Sequence, residues 1–265
     1  MSFQEAYFAA PPVSRTITAA AVLISVPGHL GLYSLIWVVF FKDYVFTIRE
    51  LPQIWRCITA FLVTGPSLGL IMDPFFLYHY STQLEIGSPR FSRPGSYVFY
   101  LMFVSLIILL IGGVYLGGAV LLNALSMAMI YTVAQEDPNR QVQFFIIQMP
   151  AKYLPYASLA ITYLMAGPFQ TMIQATGIFA AHSYDFFDRI WPQFGGGQQL
   201  IQTPQILQKW FATPGGTQQN RAYGTAFGAR AGAQPQAATQ NQSGGGRSFS
   251  SGSVWGGSGR RLGGD

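Results

Sequence analysis

The amino-acid sequence predicts an all-α polytopic membrane protein, and three features carry that prediction. Only 9% of the 265 residues are charged, against about 25% in an ordinary soluble domain, while half are hydrophobic. Aromatic side chains reach 15%, a share that suits interfacial rings at a bilayer better than a soluble core of this size. The apolar residues also fall in successive runs, separated by Gly, Pro and short charged loops.

The first run, residues 16–35, contains Pro27 and Gly28, which are tolerated as a kink or a helix end where neighbouring groups satisfy the freed backbone. Residues 37–56 mix Trp37, Phe40, Phe41, Tyr44 and Phe46 with Lys42, Asp43, Arg49 and Glu50, the amphipathic pattern of a segment lying in the interface. Residues 58–84 are apolar again, but Gly65, Pro66, Gly69 and Pro74 interrupt them, so the well-formed helix is expected over 68–83. Residues 97–111 and 119–134 predict two helices joined by a tight turn at Gly112, Gly113, Gly117 and Gly118. The last pair, 153–165 and 169–187, turns at Gly167 and Pro168. Six transmembrane helices result. After Phe211 the composition shifts to Gly, Ser, Gln, Ala and Arg, which cannot bury enough apolar surface to offset the entropy of ordering. The chain therefore divides into a membrane domain, residues 1–211, and a disordered tail, residues 212–265.

Several of these spans are short. Crossing a hydrocarbon layer of about 30 Å takes about 20 helical residues, and residues 153–165 fall well below that. Either the bilayer thins around such a helix or the helix boundaries lie further out. Lys and Arg set the orientation: with a cytosolic N-terminus, Arg15, Arg90, Arg93, Arg140, Lys152 and Arg189 lie at the cytosolic face, against Lys42, Arg49 and Arg56 opposite. An even number of spans and a basic tail then place both termini in the cytosol. No basic n-region precedes the first run, so the first helix is expected to be retained as a signal anchor. A single cysteine, Cys57, excludes an intramolecular disulfide framework. The formal charge of +5 is scattered over loops and tail, with no basic stripe, so nucleic acid is not an expected partner. Nothing in the sequence calls for a metal or a cofactor.

Two long ordered motifs resemble the derlin family. Gln53-Ile54-Trp55-Arg56, followed by Ile58-Thr59-Ala60-Phe61, looks like the derlin loop with its Trp-Arg pair. Residues 75–85 look like the second-helix signature ending in Tyr-Ser-x-x-Leu-Glu, here Tyr80, Ser81, Leu84 and Glu85. Tyr131 to Gln135 and Thr203 to Trp210 match in character and order, so the resemblance covers residues 10–211. It implies a rhomboid-like bundle in the endoplasmic reticulum membrane, without proteolytic activity. The implied function is retrotranslocation of misfolded proteins in ER-associated degradation, with an ER ubiquitin-ligase complex among the partners. Association with a second copy of the chain stays open.

The resemblance also frames the candidate residues. A rhomboid protease needs a serine in a Gly-x-Ser-Gly context with a histidine on the sixth helix. His182 lies on the sixth helix, but Ser126 stands between Leu125 and Met127 with no glycine beside it. An active intramembrane serine protease, with a Ser126 and His182 dyad, is the alternative, and His182 reads better as a buried polar group bonded across the bundle. Trp55 and Arg56 read either as an ordinary interfacial anchor or, as the resemblance implies, as a loop engaging membrane and substrate, with Trp55 at the interface and Arg56 reaching headgroups or loop carbonyls. Gly177 and Ala181 form a small-xxx-small pair for close helix packing. His79, Asn123, Ser126, Gln174 and His182 are expected to line a lateral polar cavity, opened by short helices that thin the bilayer. In the tail, Trp255, Gly257, Gly259, Arg261 and Leu262 resemble the short motif by which derlins recruit the AAA ATPase valosin-containing protein.

Overall fold

Where an apolar run has no water to bond with, its backbone groups must pair within the segment, so the runs fold as helices and break where glycine relieves the geometry. The structure is a computed structural model, and it describes residues 3–45, 52–144, 147–194 and 203–211. These all lie in one compact unit, Met1–Gly216.

Helix α1 (Phe3–Ala9) precedes α2 (Pro12–His29), in which Pro12 occupies the first turn and Pro27 the last. The first span is thus displaced from the expected 16–35, because Gly31, at φ 77°, turns the chain away before residue 35. The loop that follows contains a 3₁₀ turn, Leu35–Trp37, and two one-turn helices, α3 (Lys42–Val45) and α4 (Arg56–Thr59). Helix α5 (Gly69–Thr82) accommodates Pro74 without a break and runs into a π-helical turn, Gln83–Gly87. Helix α6 (Ser96–Ile108) continues as a π-helical stretch, Leu109–Tyr115, so Gly112 and Gly113 lie within the helix and the turn falls at Gly117, φ 78°.

Helix α7 (Leu122–Glu136) is the centre of the molecule, buried along almost its whole length. The all-α expectation needs one correction after it. Strands β1 (Gln141–Phe144) and β2 (Ile147–Pro150) pair antiparallel, with Val142 opposite Met149, and both of these side chains pack on the core. A short loop becomes a ribbon because alternate apolar residues can cap the bundle end in extended form. Helix α8 (Leu154–Asp185) is continuous in hydrogen bonding but bent at Gly167, whose φ of 83° and ψ of 177° are accessible to glycine alone. It has two arms, residues 154–166 and 168–185. A π turn, Phe186–Ile190, leads to α9 (Trp191–Phe194), and α10 (Gln205–Phe211) closes the described chain.

Helices α5, α6 and α8 surround α7, and α2 packs on α5, whereas α5 and α8 share no extended contact. By length and composition, Ser96–Tyr115 is the one helix among the described residues long and apolar enough to cross a membrane unaided. Residues 154–166 extend about 20 Å at 1.5 Å per residue.

The Tyr-Ser-x-x-Leu-Glu motif acts at the start of α2. Glu85 accepts the backbone N–H groups of Val13 and Ser14 at 3.0 and 2.7 Å and the Ser14 hydroxyl at 2.6 Å. Its carboxylate thereby satisfies amides that the first turn of a helix leaves without partners. Ser81 continues the knot, donating to Ser14 at 2.8 Å and meeting the Tyr97 hydroxyl at 2.7 Å, while Tyr80 and Leu84 fill the core beside it.

Candidate functional site

The separation of α5 from α8 leaves a lateral cleft of about 730 Å³. Met72, Asp73 and Phe76 of α5 form one wall, and Ser158, Ile161, Thr162 and Met165 of α8 form the other. Asn123, Ser126 and Ile130 of α7 make the floor, and residues 63–66 with His29 close the upper end. Both lips carry exposed apolar side chains, Leu68, Ile71 and Phe75 on one and Tyr163, Leu164 and Met165 on the other.

The upper end is held by polar side chains acting on backbone. Ser25 Oγ donates to the Leu62 carbonyl and accepts from the Thr64 amide, both at 2.9 Å, and His29 Nε2 lies 3.1 Å from the Thr64 carbonyl. Asp73 Oδ2 accepts the Gly65 amide at 2.7 Å. Ser67, at φ 54°, is the one described non-glycine residue in the left-handed region, so the chain enters α5 through a sharp turn.

Arg56 organises the preceding loop from inside. It is 2% exposed, and among the described residues it faces carbonyls instead of a carboxylate. Its Nη1 donates to the Ile36 carbonyl and to that of Val39 at 2.8 Å, and its Nε donates to Gln53 Oε1 at 2.5 Å. The guanidinium also lies over Tyr44, 5.0 Å from the ring centre. Thr59 donates to the Val38 carbonyl at 2.6 Å, and the loop is tied to the bundle where the Phe40 and Leu121 amides reach the Ala119 and Ala60 carbonyls. Trp55 is exposed, its indole N–H 3.3 Å from the Trp37 carbonyl. Burial pushes the Cys57 thiol up, only partly opposed by a backbone hydrogen bond, so the loop presents no activated thiolate.

Of the five polar residues expected around one cavity, Asn123, Ser126 and Gln174 line the cleft and two do not. His79 is exposed on α5, stacked on Phe75 and hydrogen-bonded to Gln83 at 2.7 Å. His182 is exposed on α8, not buried, with Nδ1 3.1 Å from the Tyr131 hydroxyl. The reason is register. Gly177 crosses α7 at Ala124 and Ala128, so a residue five positions later lies beside Tyr131, beyond Ser126. The α8 side chains that share the cleft with Ser126, Gln174 among them, carry no basic nitrogen, and Ser126 Oγ has no hydrogen-bond partner. Gln174 donates to Ser158 at 3.2 Å, but its Oε1 is also without a partner, as is Thr64 Oγ1.

Gly177 and Ala181 lie buried on the α7 side of α8. A Cβ at Gly177 would stand 2.0 Å from the Ala124 carbonyl oxygen, so the two backbones touch. Asp73, His29, Thr64, Ser158, Thr162 and Gln170 were not anticipated in the site. Part of the signal was present, since Ser158 and Thr162 on one arm, and Gln170 and Gln174 on the other, are spaced by four and so share a helix face within each arm. Trp255, Gly257, Gly259, Arg261 and Leu262 lie outside the described residues.

Comparison with known proteins agrees with this architecture. The sequence matches the Der1-like family over residues 10–205. It is 32% identical over 240 residues to Derlin-1 of Homo sapiens, covering 89% of this chain and 90% of that protein. It is similar to Derlin-1 of Drosophila melanogaster, 28% identical over 208 residues, with 77% and 82% of the two chains covered. Derlin-2.2 of Zea mays is 29% identical over 223 residues, covering 79% and 86%.

Proposed function

The chain belongs to the Der1-like family, and we propose that it serves ER-associated degradation as a non-catalytic membrane factor, passing segments of misfolded proteins through the cleft between α5 and α8. The observation that carries this reading is the cleft itself, open between two helices that share no extended contact, with polar groups on its floor and apolar lips outside.

Six helical segments cross the membrane: α2, α5, α6, α7 and the two arms of α8, with both termini in the cytosol. The membrane is that of the endoplasmic reticulum. Residues 154–166 span about 20 Å against a layer of about 30 Å, so the bilayer thins at the cleft. A polar segment in hydrocarbon costs several kcal/mol, and a thinner layer with unpaired hydroxyl and amide groups on one side lowers that cost. The loop carrying Trp55 and Arg56 sets the upper rim: Arg56 stiffens it from within, and Trp55 presents its ring to the interface or to a substrate. Proteolysis is not part of the mechanism: Ser126 Oγ has no hydrogen-bond partner, so no base is seated on it, and His182 meets Tyr131 instead. Force comes from a partner. Trp255 to Leu262 recruits a AAA ATPase of the valosin-containing type, and an ER ubiquitin-ligase complex marks the emerging chain.

A photo-crosslinker at Thr162 or Met165 should capture a misfolded substrate during degradation, whereas one at Phe179, exposed on the other arm of α8, should not. Equal capture at both sites sinks the cleft reading. Substrate cleavage lost on Ser126→Ala would establish proteolysis instead. Trp255→Ala or Leu262→Ala should abolish ATPase pull-down without changing substrate capture.

A further inference from the structure

A second large cavity lies at the other end of α7, between the turn after α5, the base of the β1–β2 ribbon and the π turn after α8. It encloses about 600 Å³, within the range of small-ligand sites. Three arginines from three separate segments line it: Arg90, Arg140 and Arg189. Two carboxylates, Glu136 and Asp137, line it from the end of α7.

The arginines have unused donors. Arg90 is largely buried; its Nη2 reaches Asp185 and, at 3.7 Å, Asp188, but its Nε and Nη1 are shielded from water and have no acceptor. Neither Arg140 nor Arg189 forms a salt bridge among the described residues. Asp185 and Asp188 answer only one nitrogen of Arg90, so donors of the guanidinium groups around the cavity stay without an acceptor, and a tetrahedral phosphate can accept from all three arginines. Glu136 and Asp137 argue against a ligand that is only anionic. Glu136 accepts the Ser88 hydroxyl on one carboxylate oxygen, and Asp137 is exposed at the mouth. Together they offer a counter-charge for a cation close to the phosphate. The depth is also defined, because Tyr153, Tyr156 and Trp191 are exposed at this end of the bundle, and Lys152 lies over Tyr153 at 5.0 Å. Aromatic and basic residues together mark the headgroup layer of a bilayer.

We propose that this cavity binds the headgroup of a glycerophospholipid carrying both a phosphate and a primary ammonium. Arg90, Arg140 and Arg189 hold the phosphate, and Glu136 and Asp137 hold the ammonium. The lipid ties the ribbon to the turns after α5 and α8. This inference rests on the membrane placement of the family and not on the cleft, so it stands or falls separately from the export reading.

Native mass spectrometry of the full chain in mild detergent tests it, with phosphatidylethanolamine, phosphatidylcholine and phosphatidic acid as competing lipids and soluble phosphoethanolamine as a separate arm. Phosphatidylethanolamine should be retained about tenfold more tightly than phosphatidylcholine, whose quaternary ammonium has no N–H to donate, the loss of one charged hydrogen bond being of this order. The double variant Arg140→Gln/Arg189→Gln, altered at exposed positions, should lose that retention while its lipid-free melting temperature stays unchanged. Asp137→Asn should bring the two lipids to similar retention. Equal retention of the two lipids by the unaltered chain, or unchanged retention in the arginine double variant, overturns the proposal. Stronger retention of phosphatidic acid overturns the ammonium assignment, and equally strong binding of soluble phosphoethanolamine overturns the lipid assignment.

Discussion

The two arms of α8 belong to one continuous helix and meet their neighbours in opposite ways. Residues 168–185 lie against α7 so closely that Gly177 and Ala124 touch backbone to backbone. Residues 154–166 stand away from α5 and leave the cleft open beside them. The difference lies in side-chain size and in polar accounting. On the packed arm, small residues let the helices meet. On the open arm, Ser158, Thr162 and Met165 face a space in which Ser126 Oγ, Gln174 Oε1 and Thr64 Oγ1 have no partner. An unpaired buried polar atom costs about 1–3 kcal/mol, a cost that a segment bound in the cleft offsets by supplying the missing bond. The seam holds the helices together, and the cleft is the proposed path for substrate.

The sharpest way to break this contrast is Gly177→Val. Its Cβ would fall 2.0 Å from the Ala124 carbonyl oxygen, and neither backbone can move without displacing a helix. Overpacking of this kind should cost about 3 kcal/mol, seen as loss of folded protein or a much lower melting temperature in detergent. A valine tolerated there would mean that the seam is as loose as the cleft.

Glu85→Ala is next. The polar knot at the start of α2 is the counterpart of the cleft, because every polar atom named in it has a partner. Removing the carboxylate orphans two helix amides and one hydroxyl, at a cost of about 2 kcal/mol. A thermal melt should register it, and Glu85→Gln should restore part of the loss.

Gly167→Ala tests the joint between the arms. A side chain at φ 83° and ψ 177° carries strain of about 1 kcal/mol or somewhat more. The open arm should tilt to relieve it. Crosslinking between cysteines introduced at Met72 and Met165, facing positions on the cleft walls, should change in rate while the seam holds.

How much of this could be read in the sequence varies with the physics. The helices were legible because an apolar run has few options, and their order followed from Gly and Pro. The family was legible in Tyr80, Ser81, Leu84 and Glu85, although their role was not, since it depends on Glu85 meeting Ser14 about seventy residues earlier in the chain. The ribbon was missed because four-residue strands give too short a pattern. His182 was misplaced because helix register is set by where Gly177 meets α7, a contact that residue spacing alone does not fix. Arg56 was open to headgroups or loop carbonyls, and it is the Ile36 and Val39 carbonyls that it meets, buried within the loop. A buried arginine answered by carbonyls leaves no acidic partner to find in the sequence.

The smallest expected effect on stability is the most informative for function. Ser126→Ala removes a hydroxyl that has no partner, and Gln174→Leu removes an unpaired carbonyl at the loss of one 3.2 Å hydrogen bond to Ser158. If these groups were structural, the changes would destabilise the protein as core losses do. Because they are unpaired, the double variant should melt within about 0.5 kcal/mol of the unaltered chain, and relief of the buried oxygens can even raise stability. Substrate degradation should nevertheless slow, because an extended segment in the cleft would lose acceptors for its amides. Normal degradation with unchanged stability would show that the cleft floor is inert, and the contrast between the arms would then be one of packing alone.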